Sequence, residues 1–291
     1  MQYQGTVIRP PSEAHSIILQ VTLGCSHNKC AFCGAYRDKP FSIRPITEIR
    51  KDIAFARIHC TRQRTLFLAD GNALVMPRSQ LVPLFEEIQE QLPWVRRISL
   101  YGGCRDILAC DARYLHTLKE LGLGRIYMGL ESGDDRVLKA VNKRVTGQEM
   151  IAAGRRVREA GIFLSVTCLL GLAGNDPDAS LAHARQTAEV LNEMQPSQIA
   201  VLTLMPMANT PLGRQVDRGD FRLPEKKQLF LELRTIIEYL ADFRVQFQAN
   251  HASNYFQLNG RMPRDRDSFL ARLDQALQEK ISLKPEHLRA L

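Results

Sequence analysis

The sequence predicts an α/β fold built on a parallel sheet, and three observations carry that prediction. Short apolar runs alternate with segments of helical period through most of the chain. Six such strand–helix units follow one another, and parallel neighbours need crossover helices between them. The strand runs are nearly continuous in apolar residues, as strands covered on both faces should be. Open doubly wound sheets and barrels both satisfy this pattern.

The elements can be taken in order. "SIILQVT", from Ser16 to Thr22, reads as a buried first strand. "ITEIRKDIAFARI" follows as a helix, with Ile46, Ile49, Ile53 and Ala54 or Ala56 on one face. "TLFLAD" is a second strand. "SQLVPLFEEIQEQL" is a helix with Leu81, Leu84, Phe85 and Ile88 inward and Pro83 in its first turn, where proline is tolerated. "RISLY" is a third strand, and "DARYLHTLKELGL" a helix with Asp111 as N-cap. "RIYMGL" is a fourth strand leading into the short helix "DDRVLKAV". Thr146 and Glu149 have capping-box spacing at the head of "TGQEMIAAGRRVREAG", and Gly161 stands where a C-terminal glycine belongs. "IFLSVTCLLG" is a fifth strand, "DASLAHARQTAEVLNEM" a helix and "QIAVLTLM" a sixth strand.

Beyond Pro211 the rhythm changes. "PEKKQLFLELRTIIEYL" is a long amphipathic helix and "FRVQFQ" a candidate strand. "NHASNYFQLNGRMP" reads as a loop, and two helical stretches close the chain. The expected division is an α/β core over residues 1–213 and a helical extension over 214–291 packed on it.

Composition narrows the class. Of 291 residues, 45% are hydrophobic and 24% charged, which is ordinary for a soluble globular protein. No apolar run is long enough to cross a bilayer, and the N-terminus lacks the pattern of a secretory signal. A cytoplasmic protein with no membrane partner is expected. The net charge of +8 favours anionic partners, but the basic residues are dispersed, with no arginine-rich tail. Seven cysteines in a chain without a secretory signal argue against a disulfide scaffold.

The chemistry concentrates in "LGCSHNKCAFCGAYRDK", which places Cys25, Cys30 and Cys33 just beyond the first strand. Three soft thiolates suit zinc or an iron–sulfur cluster. Zinc needs a fourth ligand, and His27 sits cramped inside the run. A cubane held by three thiolates leaves one iron free for a substrate or cofactor, which explains the odd count.

On these residues the sequence resembles the radical SAM superfamily. The usual first gap of three residues is four here, Ser26 to Lys29, and Phe32 fills the aromatic place before the third cysteine. Further matches follow in order. "ADGNAL" stands where the family has two glycines, a glutamate and a proline; the glutamate is absent. "MGLESGDDRVLKAVNK" resembles the fourth-strand segment of oxygen-independent coproporphyrinogen oxidase, the methylthiotransferases and the Elongator-type enzymes. "SVTCLLGLAG" and "LTLMPMANTPL" resemble the fifth- and sixth-strand endings.

The resemblance implies a partial (β/α)6 TIM-like barrel and two cofactors, a [4Fe–4S] cluster on Cys25, Cys30 and Cys33 and S-adenosylmethionine (SAM). It implies SAM contacts from Phe32, Gly34, Asp70, Gly71, Asn72, Glu131, Ser132, Lys143, Ser165, Thr167 and Met205. Tyr101 and Cys104, at the end of the third strand, are the candidate hydrogen-atom donors. A flavodoxin or ferredoxin would deliver the electron, and the site would be oxygen-sensitive. No RNA-binding or acyl-transfer segment stands within these residues, which favours a small-molecule substrate. RNA modification and a non-catalytic iron–sulfur or zinc protein are the competing readings.

Overall fold

The computed structural model describes residues 1–290, which divide into two compact units. The first comprises Met1–Asn28, Ala35–Met128 and Arg156–Leu164. The second comprises Lys29–Gly34, Gly129–Arg155 and the chain from Ser165 onward.

The first unit opens with β1 (Ile17–Gln20), the short pair β2 (Thr22–Leu23) and β3 (Ser42–Ile43), and α1 (Ile46–His59). There follow β4 (Thr65–Ala69), α2 (Arg78–Gln91), β5 (Arg97–Tyr101), α3 (Cys104–Ala109), α4 (Ala112–Glu120) and β6 (Leu123–Glu131), the last as far as Met128. Strands run in the order β1-β4-β5-β6, all parallel, while β2 and β3 pair antiparallel. Ile17 stands opposite Leu66, and Leu66 opposite Ile98.

Side chains alternate across these strands. Leu66 and Leu68 are buried on one face of β4, while Phe67 and Ala69 form a cluster with Tyr127, flanked by Tyr101, Ile18 and Val7. Leu81, Leu84, Phe85 and Ile88 of α2 are all buried, as the helical period requires. Pro83, however, lies in the interior of α2 rather than its first turn, because the helix starts at Arg78. The proline there removes one backbone hydrogen bond. In α1, Ile49, Ile53 and Ala56 are buried, but Ile46 is exposed at the first helical position. Asp111 caps α4 as expected, its carboxylate accepting the Tyr114 N–H at 2.6 Å.

The second unit holds the last residues of β6, α5 (Asp135–Ala140), α6 (Gly147–Glu159) as far as Arg155, and β7 (Phe163–Leu170) from Ser165. It continues through α7 (Pro177–Met194), β8 (Gln198–Thr203), α8 (Pro211–Arg218), α9 (Lys226–Tyr239), β9 (Val245–Ala249), β10 (Leu258–Met262) and α10 (Arg266–Leu277). The strand order is β7-β8-β9-β10, with β8 parallel to both neighbours and β10 antiparallel to β9. Parallel pairing in both units is what a series of strand–helix repeats predicts.

The capping box of α6 forms: Thr146 Oγ accepts the Glu149 N–H at 3.2 Å, and Glu149 Oε2 accepts the Thr146 N–H at 2.7 Å. Gly161 has φ +70°, the left-handed geometry of a helix-ending glycine. One reading of the C-terminal part needs revision. "FRVQFQ" does yield β9, but the stretch read as a loop contains β10. Leu258 and Met262 are buried while Asn259 and Arg261 point out, so a period of two underlies a segment diluted by Asn259 and Gly260. No helix among the described residues is long and apolar enough to cross a membrane.

Candidate active site

In the first unit the candidate residues gather at the ends of β2, β4 and β5. Cys25 lies two residues beyond β2, after Gly24, whose φ of +68° turns the chain. Gly71 donates its N–H to Gly24 O at 3.1 Å. A side chain at Gly71 would bring its Cβ within 2.8 Å of Cys25 Cβ, so the close approach demands glycine.

Asp70 follows β4 and is fully buried. Its Oδ2 accepts from Lys39 Nζ at 2.8 Å, from the Gly24 N–H at 3.2 Å and from Gln20 Nε2 at 3.2 Å. Its Oδ1 is also buried and has no partner. Asn72 donates to Ser26 Oγ at 3.1 Å and to Asp106 Oδ2 at 2.5 Å, while its Oδ1 accepts the Gly103 N–H at 3.3 Å. Asn72 thereby ties the cysteine segment to the turn after β5.

Tyr101 ends β5 and meets Phe67 and Tyr127 edge-on, with ring centroids 5.1 and 5.9 Å away. Burial, then the nearby Tyr127 and Glu13, push its hydroxyl well above the ordinary tyrosine range. It therefore keeps its proton at any physiological pH. Cys104 is buried at the head of α3. Cys110 closes that helix rather than opening the next, and burial pushes its thiol up to about 11.

In the second unit, Cys30 and Cys33 sit on one turn, closed by the Cys33 N–H to Cys30 O at 3.3 Å. The Ala31 N–H donates to Val141 O at 2.8 Å, and the Leu212 N–H donates to Ala31 O at 2.9 Å. Asn142 Nδ2 donates to Lys29 O at 2.9 Å. The cysteine turn is thus clamped by the segment after α5 and by the head of α8. Phe32 packs on an apolar cluster that includes Val137, Val141, Leu169 and Leu212. Gly34 is buried under Met207 and Asn209, whose side-chain ends a Cβ there would meet, and Asn209 Nδ2 donates to Gly34 O at 3.2 Å.

Glu131 ends β6 with φ +66°, and its Oε1 accepts from Lys143 Nζ at 2.9 Å. Burial alone would favour the neutral amine at Lys143. The Glu131 carboxylate and the sulfurs of Cys30 and Cys33 outweigh it and hold the ammonium charged, above the ordinary lysine range. Ser165 is buried and Thr167 half-buried on one face of β7, and Met205 is half-buried after β8. Cys168 is core, and burial pushes its thiol far up.

Ser132 departs from expectation. It is completely buried, its hydroxyl accepts the Asp134 N–H at 2.9 Å and it shares a hydrogen with His183 Nδ1 at 2.7 Å. Its bonding is spent on the turn into α5. Sequence reasoning also missed Lys39, Asn142, Met207 and Asn209. Lys39 and Asn142 carry no local signal, since their partners lie far off in sequence, whereas Met207 and Asn209 stand inside the "MPMANTPL" segment already singled out.

All seven cysteines are free of disulfides. Among the described residues no three metal-ligating side chains converge as a single ion requires. A cubane does not require it, because each thiolate binds a different iron.

A family model described as the Radical SAM superfamily matches residues 19–186, more than half of the chain. The chain belongs to that superfamily, whose enzymes work with a [4Fe–4S] cluster and SAM. One curated relative is the oxygen-independent coproporphyrinogen III oxidase of Pseudomonas aeruginosa. It is 25% identical over 234 residues, covering 76% of this chain and 49% of that one. Another is the tRNA-2-methylthio-N(6)-dimethylallyladenosine synthase of Sorangium cellulosum, 26% identical over 199 residues, covering 62% of this chain and 40% of that one. The solved coproporphyrinogen III oxidase of Escherichia coli, a radical SAM enzyme, superposes with a TM-score of 0.57 at 19% identity, over 77% of this chain and 51% of that one. This last likeness shows the fold, and it decides between the two parallel architectures in favour of the TIM-like barrel. The chain spans less than half the length of these curated relatives.

Proposed function

We propose that Cys25, Cys30 and Cys33 hold the cluster and that the enzyme acts on a small molecule in the reducing cytoplasm. The observation that carries this reading is the cysteine loop. It brings three cysteines, none in a disulfide, within nine residues, inside the region that matches the family, two of them on a turn clamped from both sides. When bound and reduced, the cluster supplies the electron that splits SAM into methionine and a 5′-deoxyadenosyl radical, and that radical takes a hydrogen atom from the substrate.

The remaining residues bind, orient and exclude water. The unpartnered Oδ1 of Asp70 is an acceptor suited to the SAM ammonium, the role a glutamate fills in the family's usual motif. Gly71 lets the backbone come close, and Asn72 holds the turn. Phe32, Gly34 and Met205 offer apolar surface to adenine, while Ser165 and Thr167 offer hydroxyls to the ribose. Glu131 and Lys143 lie beside the methionyl part. Ser132 drops out of the set, since its hydroxyl is already committed. Tyr101 keeps its O–H hydrogen and can return a hydrogen atom to a product radical, a role for which Cys104 is the other candidate. A flavodoxin or ferredoxin supplies the electron.

Anaerobic protein reconstituted with iron and sulfide, then given dithionite and SAM, should release 5′-deoxyadenosine. Cys30→Ala should release none. A wild-type protein that binds zinc instead and leaves SAM intact would end this reading. The likeness to a tRNA-modifying synthase and the net charge of +8 favour a second reading, with RNA as substrate. RNA affinity that falls steeply with salt and persists for a defined stem-loop would carry it.

A further inference from the structure

Three of the six non-glycine residues with left-handed backbone crowd around one ion pair. They are Glu131 at φ +66°, Asn142 at +55° and Arg144 at +60°. Such conformations are costly for residues with side chains and gather at functional sites. Glu131 is itself half of the pair; Asn142 and Arg144 flank Lys143, the other half. Two hydrogen bonds fasten this segment to the cysteine turn, Asn142 Nδ2 to Lys29 O at 2.9 Å and the Ala31 N–H to Val141 O at 2.8 Å. The Lys143 N–H donates to Leu138 O at 2.9 Å and fixes the lysine against the end of α5. Gly129 leaves the space: a side chain there would meet the Glu131 carboxylate and come within 3.0 Å of Lys143 Nζ.

We propose that the Lys143–Glu131 pair is an electrostatic positioning device for the cluster, setting the charge felt by Cys30 and Cys33 and through them the reduction potential. The inference rests on the cluster assignment made above and goes beyond it in giving the pair a task apart from SAM. Lys143 Nζ meets the Glu131 carboxylate at 2.9 Å, and the residues just before it, Val141 and Asn142, are hydrogen-bonded to Ala31 and Lys29 on either side of Cys30. A lone buried ammonium beside two thiolates would stabilise the reduced cluster and weaken it as a reductant. Glu131, 2.9 Å from Nζ, offsets most of that charge. The pair thus fixes a partial compensation that neither residue supplies alone.

The test is a redox titration of the reconstituted protein without SAM, following the reduced cluster by its EPR signal. Iron and sulfide content is measured first. Lys143→Met leaves an unbalanced carboxylate and should move the midpoint to a more negative potential. Glu131→Gln leaves an unbalanced ammonium and should move it to a more positive one. The double variant should return close to wild type. Loosened packing would push both single variants the same way, so opposite signs support the device. Two loaded variants with unchanged midpoints, or with shifts of one sign, overturn it. If Lys143→Met fails to fold or load, the sign of the Glu131→Gln shift alone decides. A wild-type protein that takes up no iron defeats the cluster assignment itself, and the inference falls with it.

Discussion

Asp70 shows how one side chain can serve both fold and ligand. Its Oδ2 gathers Lys39, Gly24 and Gln20, and so fastens the chain before Cys25 to the end of β4. Its Oδ1 is left buried and bare. A buried acceptor without a donor costs on the order of 1–3 kcal/mol, and a bound ammonium would recover it. Asp70→Asn keeps the shape, removes the charge opposite Lys39 and weakens any ionic contact with SAM. A charge-assisted hydrogen bond contributes roughly 1.5–3 kcal/mol, so SAM affinity should drop by about tenfold or more. Equilibrium binding to the anaerobic, unreduced protein measures this, with iron content unchanged as the control. Unaltered affinity would assign the SAM ammonium to another acceptor.

At the scale of elements, local rules account for most boundaries. Helix α6 begins where Thr146 and Glu149 exchange hydrogen bonds with each other's backbone. Thr146→Ala should remove about 1 kcal/mol of stability, read from urea unfolding, and leave iron loading untouched, since Thr146 is exposed. The helices and parallel strands of the core were legible because their apolar residues repeat at fixed periods. The three cysteines were legible because they are neighbours in sequence. What stayed hidden depends on distance along the chain. Lys39 meets Asp70 across 31 positions, and Ser132 meets His183 across 51, so nothing near either residue announces its partner. Strand β10 stayed hidden for a different reason. Its alternation is weak, and only its pairing with β9 makes it a strand.

At the scale of the molecule, two buried titrating groups of the second unit set opposing trends of stability with pH. Glu232 of α9 is fully buried; it accepts from Ser180 Oγ at 2.5 Å and from the Gly171 N–H at 2.7 Å. Burial pushes its carboxyl up from 4.5 to about 7, against those two hydrogen bonds. The folded state then holds a proton that the unfolded chain has released, so this contribution is present below about pH 4.5 and is lost as pH rises through about 7. His183 behaves in the opposite sense: burial lowers its imidazole from 6.5 to about 4. The unfolded chain binds the extra proton there, so this contribution is present above about pH 6.5 and is lost as pH falls through about 4. Each displacement corresponds to on the order of 3 kcal/mol. The windows overlap between about pH 4.5 and 6.5, where the two slopes oppose and nearly cancel. From these two groups, wild-type stability should be flat across that range. Glu232→Gln should expose the histidine's slope, with stability climbing as pH rises from about 4.5 to 6.5. His183→Asn should expose the glutamate's slope, with stability falling over the same interval. Chemical denaturation at three pH values separates the two trends. Parallel slopes in the two variants would show that these groups do not govern how stability varies with pH.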